Sequence, residues 1–236
     1  MFVVPQWRSN KRHWIPAFAG MTTEMKLYGY FRSSAAYRVR IALGLKRLEY
    51  EYVAIHLRKG EQSTAQYREL NPGELVPTLV DDRGTFTQSL AIIEYLDERY
   101  PEPALLPSAS EARARVRAIA LAIACDIHPI DNLRVLRYLL RTLGASEAAK
   151  DAWYRHWIDL GLSALESQLA REPATGAFCH GSGPTLADCC LIPQLANARR
   201  AGIPLEAYPT LTRIEAKCNA LPAFAAAAPE RQPDAE

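Results

Sequence analysis

The chain has 236 residues, 49% of them hydrophobic and 23% charged, with a net charge of +2. That is room for one large soluble domain or two small ones around a sizeable core. The near-neutral balance gives no footing for nucleic acid or a membrane surface, and no apolar run approaches the ~20 residues that span a bilayer. The five cysteines, Cys125, Cys179, Cys189, Cys190 and Cys218, form no Cys-x-x-Cys pair and no metal-binding spacing. Their odd number argues against a disulfide framework, so they read as buried or reduced thiols of a cytoplasmic protein.

Residues 1–24 mix tryptophan, arginine, lysine and histidine with no helical or strand period, and their short apolar part is broken by Pro16 and Gly20. The expectation is a mis-called start or a disordered tail, with a folded domain beginning at Met25. Lys26 to Phe31 alternates as a strand and leads into Arg32-Ser33-Ser34-Ala35. A helix is predicted over Ala35–Leu45, and Tyr50 to Ile55 alternates as a second strand. His56 to Glu69 reads as a polar loop with a short helix. Asn71-Pro72-Gly73 is turn chemistry. Leu75 to Val80 is a strand entered through Val76-Pro77, and Asp82-Arg83-Gly84 folds it back onto Thr85–Thr87 as a hairpin. Ser89 opens a helix carrying Ile92, Ile93 and Leu96 that stops before Pro101. The order βαβ then ββα is that of a thioredoxin-like half, and Pro103 to Pro107 reads as a linker.

Everything beyond it reads helical. Val116, Ile119, Ala120, Ile123, Ile127 and Ile130 make one face of a long helix that Pro129 must bend. Trp153, Trp157, Leu160, Ala164 and Leu169 mark the core stripe of a second helix. Thr185-Leu186-Ala187-Asp188 is a capping box for a third, which accounts for the Asp188 carboxylate without catalysis. The fold class is thus α/β plus all-α. The domains are expected at 25–106 (thioredoxin-like) and 107–236 (all-helical).

The strand, serine-rich turn and helix at Arg32-Ser33-Ser34 form a geometry that faces an anion with backbone N–H groups and a hydroxyl. A serine N-cap explains the same residues. The wider pattern decides between them. Arg32-Ser33-Ser34 with Arg38-Val39-Arg40-Ile41-Ala42-Leu43, then Val76-Pro77-Thr78-Leu79, Gln88-Ser89-Leu90-Ala91-Ile92-Ile93-Glu94-Tyr95-Leu96 and Asp126-Ile127-His128-Pro129-Ile130-Asp131-Asn132-Leu133, resembles the cytosolic glutathione transferases of the zeta class. That class contains the maleylacetoacetate and maleylpyruvate isomerases. The resemblance covers essentially all of Met25 to Glu236, including the tail from Ala228 to Asp234.

The resemblance implies a glutathione-dependent cis–trans isomerase of aromatic-acid catabolism, acting on a small diacid, homodimeric and cytoplasmic. Glutathione would serve as a regenerated cofactor, with no metal. Its thiolate would add to the alkene, allow rotation and leave again. Bringing a thiol of pKa ~8.5 down by two units takes roughly 2.7 kcal/mol of preferential anion stabilisation. By resemblance the catalytic residues are Ser33, Ser34 and Arg32. Ser33 donates the hydroxyl, with Ser34 and the amides of Ala35 and Ala36 beside it. Arg32 and Arg200 hold the substrate carboxylates, Arg200 having Arg199 as its neighbour on the helix. The cofactor would also meet Gln62, Val76 (through a cis Val76-Pro77 bond), Gln88, Ser89, His128, Asn132 and Arg134. The family often carries cysteine after the two serines, where this chain has Ala35, so any nucleophilic sulfur at this turn must come from the cofactor. Two other readings share the scaffold: a general glutathione transferase or α-halo-acid dehalogenase, and a non-catalytic interaction module.

Overall fold

The computed structural model describes residues 25–236, and the expectation for residues 1–24 lies outside them. Four short strands form one sheet in the order β2-β1-β3-β4: β1 (Lys26–Gly29), β2 (Glu51–Ala54), β3 (Thr78–Asp81) and β4 (Gly84–Thr87). β1 pairs parallel with β2 and antiparallel with β3, and β3 pairs antiparallel with β4 across the two-residue turn Asp82-Arg83. The parallel pair needs a crossover, which α1 (Ser34–Leu45) supplies. α2 (Ala65–Leu70) follows a single 3₁₀ turn in the polar loop, and α3 (Ser89–Arg99) follows β4. This is the thioredoxin-like half read from the sequence.

Helix α1 is the centre of the molecule. Every residue from Ser34 to Leu43 is buried, because the helix packs on α3 within its own half and on two helices of the other half, α7 (Leu186–Arg200) and α9 (Pro222–Ala227). Burial on all sides leaves no solvent face over Ser34–Leu43, so even Arg38 and Arg40 are enclosed. At its end, the Lys46 ammonium donates to Asp97 at 2.8 Å and to the carbonyls of Tyr100 at 2.6 Å and Pro103 at 2.8 Å. All three ammonium donors are thereby satisfied in a buried position.

The helical half comprises α4 (Ser110–Leu121), α5 (Leu133–Arg141), α6 (Glu147–Arg171), α7, α8 (Pro209–Asn219) and α9. Of the expected stripe, Val116, Ile119, Ala120, Ile123 and Ile127 are buried, and Ile130 beyond Pro129 is half-buried. At about 1.5–3 kcal/mol for each large aliphatic side chain, it accounts for a substantial share of the core. The helix that carries it, however, does not run on as a bent α-helix. It widens over Ala122–Ile127 into π-type bonding, with the His128 N–H reaching the Ile123 carbonyl at 3.0 Å, and Pro129 then opens a 3₁₀ turn. A proline ring collides with the carbonyl four residues earlier and offers no N–H, so a widened turn ahead of it relieves the clash. Gly161 on α6 leaves the space that the Ile127 side chain fills.

The stripe on α6 is also corrected. Its buried residues are Ile158, Leu162, Leu165 and Leu169, whereas Leu160 is 54% exposed, Ala164 is exposed, and Trp153 and Trp157 are half-buried. The tryptophans lie on a neighbouring face, where the Trp153 indole donates to the Ile130 carbonyl at 3.0 Å. The capping box at α7 is present: the Asp188 carboxylate accepts from the Thr185 N–H and hydroxyl, both at 2.8 Å, and from the Cys179 N–H at 2.8 Å.

Candidate active site

Residue Ser33 is the N-cap of α1. Its backbone is extended (φ −69°, ψ 113°), and its Oγ accepts a hydrogen bond from the Ala36 N–H at 3.2 Å. That bond uses an oxygen lone pair and leaves the hydroxyl proton free to donate. Capping and anion binding are therefore both open to one side chain. Ser33 and Ser34 border a cavity of about 740 Å³ shared by the two halves of the molecule.

The N-terminal half also contributes Tyr30, Arg32, Gln62 and Val76 to the wall, and the helical half contributes His128, Asn132, Arg134 and Arg200. The Val76-Pro77 bond is cis, as anticipated, and it directly precedes β3. Asn132 caps α5, its side chain accepting from the Arg134 N–H at 3.1 Å. His128 follows the π-type turn. Burial lowers its pKa to about 3, helped by the charges of Arg38 and Arg134, so the imidazole is neutral.

Arg200 is separated from its neighbour by the helix itself. Arg199 turns away and pairs with Glu215 of α8. Arg200 lines the cavity, its guanidinium donating to Asn197 Oδ1 at 2.8 Å and to the Tyr154 hydroxyl at 3.3 Å. Arg32 is exposed on the opposite half, its guanidinium 5.2 Å from the Phe31 ring centroid. One arginine from each half thus borders the same space.

Gln88 and Ser89 do not line that cavity. They form the N-terminus of α3, where Gln88 takes φ +68°, a strained backbone for a residue with a side chain. Ser89 is tied back to α1: the buried Arg38 guanidinium donates to its Oγ at 3.3 Å. Nε and Nη2 of Arg38 have no hydrogen-bond partner.

Sequence reading missed Tyr30, Asp131, Asn197 and Tyr154. Asn197 had a readable signal, being three residues before Arg200 on the same helix face; Tyr154 had none. Asp131 is 7% exposed, with neither carboxylate oxygen partnered among the described residues, and burial raises its pKa to about 7. Four cysteines are buried, Cys125 is exposed, and none of the five lines the cavity. Burial pushes the Cys190 thiol up to about 11 and raises Cys179, Cys189 and Cys218 as well, opposing thiolate formation. Among the described residues, no group of three or more His, Cys, Asp or Glu side chains could hold a metal ion, and no helix is long and apolar enough to cross a membrane.

Comparison with known proteins finds the same two-part fold. Residues 27–104 match the family described as glutathione S-transferase, N-terminal domain, and residues 147–225 match glutathione S-transferase, C-terminal domain. A probable maleylacetoacetate isomerase of Vibrio cholerae is 54% identical over 211 residues, covering 89% of this chain and 97% of that protein. The solved holo structure of a maleylpyruvate isomerase, described as a bacterial zeta-class glutathione S-transferase, superposes with a TM-score of 0.87 at 49% identity. It is matched over 100% of its chain and 89% of this one. A maleylacetoacetate isomerase of Methylobacterium extorquens AM1, solved with malonate and glutathione bound, has a TM-score of 0.87 at 42% identity over 89% of this chain and 99% of its own. The chain belongs to the glutathione S-transferase family, in its zeta class.

Proposed function

We propose that this protein is a glutathione-dependent cis–trans isomerase that converts maleylacetoacetate to fumarylacetoacetate, or maleylpyruvate to fumarylpyruvate. The observation that carries the reading is one cavity holding the Ser33 hydroxyl and two arginines, Arg32 and Arg200, one from each half of the molecule. A diacid needs two cationic partners, and a guanidinium fork matches a carboxylate in geometry as well as charge. The relative solved with glutathione and malonate, itself a small diacid, supports the same pairing.

The residues fit the cofactor. Tyr30 Oη and Gln62 Oε1 are buried polar atoms without hydrogen-bond partners among the described residues, on side chains that line the cavity, and such atoms are rare unless a ligand or water completes them. Bound glutathione supplies a thiol whose anion is the nucleophile that makes the conjugated double bond transiently rotatable. Ser33 directs its free hydroxyl proton at that sulfur, with the first N–H groups of α1 and the helix dipole adding to the stabilisation. Val76, Gln62, Asn132, Arg134 and the neutral His128 hold the rest of the tripeptide. Gln88 and Ser89, outside the cavity lining at the N-terminus of α3, would hold the γ-glutamyl carboxylate, with the buried Arg38 charge behind Ser89. Arg32 and Arg200 orient the diacid.

The protein works as a homodimer in the cytoplasm. Exposed Leu121, Tyr138 and Leu143 on the helical half are compatible with an interface, and light scattering of the purified chain reads the mass directly. Ser33→Ala tests the central role: kcat/KM on either diacid falls by about a hundredfold or more, as for loss of one transition-state hydrogen-bond donor. An unchanged value moves the role to Ser34 or the backbone amides.

A further inference from the structure

The segment after α9 is folded back onto the turn that follows β1. Asp234 Oδ2 accepts a hydrogen bond from the Phe31 backbone N–H at 3.0 Å and one from the Tyr52 hydroxyl at 3.3 Å. Burial and the Asp234 charge both raise the Tyr52 pKa, which keeps that hydroxyl protonated and able to donate. Gln232 steadies the approach by donating to the carbonyls of Ala226 at 3.0 Å and Ala228 at 2.9 Å. Glu236 reaches His56 at 2.7 Å.

A second contact grips the same place from inside. Arg40 on α1 is 1% exposed. Its Nε donates to the Ala227 carbonyl at 2.9 Å, Nη2 to the Phe31 carbonyl at 3.1 Å and Nη1 to the Tyr30 carbonyl at 3.5 Å. Phe31 therefore has its N–H held by the tail and its C=O held by an arginine that is also tied to the end of α9. Phe31 is the residue immediately before Arg32 and Ser33.

A carboxylate oxygen shut off from water is costly unless it is paired. Asp234 is half-buried, and its buried Oδ1 has no hydrogen-bond partner among the described residues. A tail kept only for stability gains little from such a group, since an apolar side chain of the same shape would cover the surface without that cost. What the carboxylate adds is direction: it fixes one peptide N–H of the turn that carries the hydroxyl and the guanidinium. We infer that the C-terminal tail is a positioning clamp for the Arg32-Ser33 turn, with Asp234 and Arg40 as its two jaws. The inference rests on the reading of Ser33 as the thiol-holding residue.

The test uses the full-length chain with Asp234→Ala, Asp234→Asn and Glu236→Gln. Amide hydrogen exchange over residues 26–36 reads the clamp independently of activity. Exchange there rises about tenfold or more in Asp234→Ala. The pH midpoint of thiolate formation by bound glutathione, followed by ultraviolet difference absorbance, moves upward, and kcat falls on the order of tenfold to a hundredfold through misplacement of the reacting groups. Asp234→Asn keeps an acceptor oxygen for the Phe31 N–H and recovers most of the loss. Glu236→Gln leaves thiolate midpoint and kcat within about twofold. Unchanged exchange in Asp234→Ala overturns the clamp. Faster exchange with thiolate midpoint and kcat unmoved overturns its positioning role, as does an equal loss in Glu236→Gln. A fully active Ser33→Ala would defeat the underlying site assignment instead, while the exchange result would still decide whether the clamp exists.

Discussion

At the scale of single residues, a helix decides which of two adjacent arginines faces the cavity. Successive side chains on an α-helix point about 100° apart, so Arg199 reaches Glu215 while Arg200 reaches the cavity. Sequence alone could name the pair but not the facing, because the partner that captures Arg199 lies on another helix. Arg200→Ala should raise KM for the diacid by about tenfold or more, the worth of a charge-assisted hydrogen bond, with Tm nearly unchanged. Arg199→Ala should leave KM alone and cost about 1–2 kcal/mol of stability, because the 4% exposed Glu215 loses its partner. Steady-state kinetics and denaturant melts on the two variants separate the roles, and a KM effect in Arg199→Ala would reverse the assignment. Ser33 was legible from the start as a cap. That its proton stays free became visible only when the Ala36 N–H was seen to occupy the lone pair.

At the scale of elements, local patterns were readable wherever burial is one-sided. The hairpin of β3 and β4 and the stripe of α4 follow from alternation and three-four spacing. Helices α8 and α9 each begin with a proline in the first turn, a start signal present in the sequence. The α6 stripe was misread because two faces of that helix carry large side chains, and only packing against neighbours shows which is core. The π-type turn before His128 was likewise hidden, since Pro129 predicts a disruption without specifying its form. The following 3₁₀ turn carries Asp131, whose pKa burial raises from 3.8 to about 7 and which faces Tyr154. An acid with a raised folded-state pKa binds more protons folded than unfolded, so its contribution to stability falls as pH rises from about 4 to 7 and then levels. Asp131→Asn removes that component. The variant should be more stable than wild type near pH 8 by roughly 1–3 kcal/mol and should lose most of this advantage by about pH 4. Urea melts at both pH values check it, and parallel pH dependence in the two proteins would contradict it.

At the scale of the whole molecule, function is divided between halves that are far apart in sequence. The thioredoxin-like half brings the serine-capped turn and Arg32 to the cavity; the helical half brings Arg200 and much of the wall. Helix α1 joins them by packing against both. Motifs made the two halves legible, but the convergence of Arg32 and Arg200 on one space depends on long-range packing that no local pattern encodes. None of the five cysteines reaches that space and Ala35 stands at the turn, so the nucleophilic sulfur has to be brought in by the cofactor. The most direct measurement is therefore the rate of maleylpyruvate or maleylacetoacetate isomerisation by the purified protein, dialysed free of small-molecule thiols, with and without added glutathione. The account predicts turnover only when glutathione is present, with glutathione recovered unconsumed. Equal rates in its absence would contradict it.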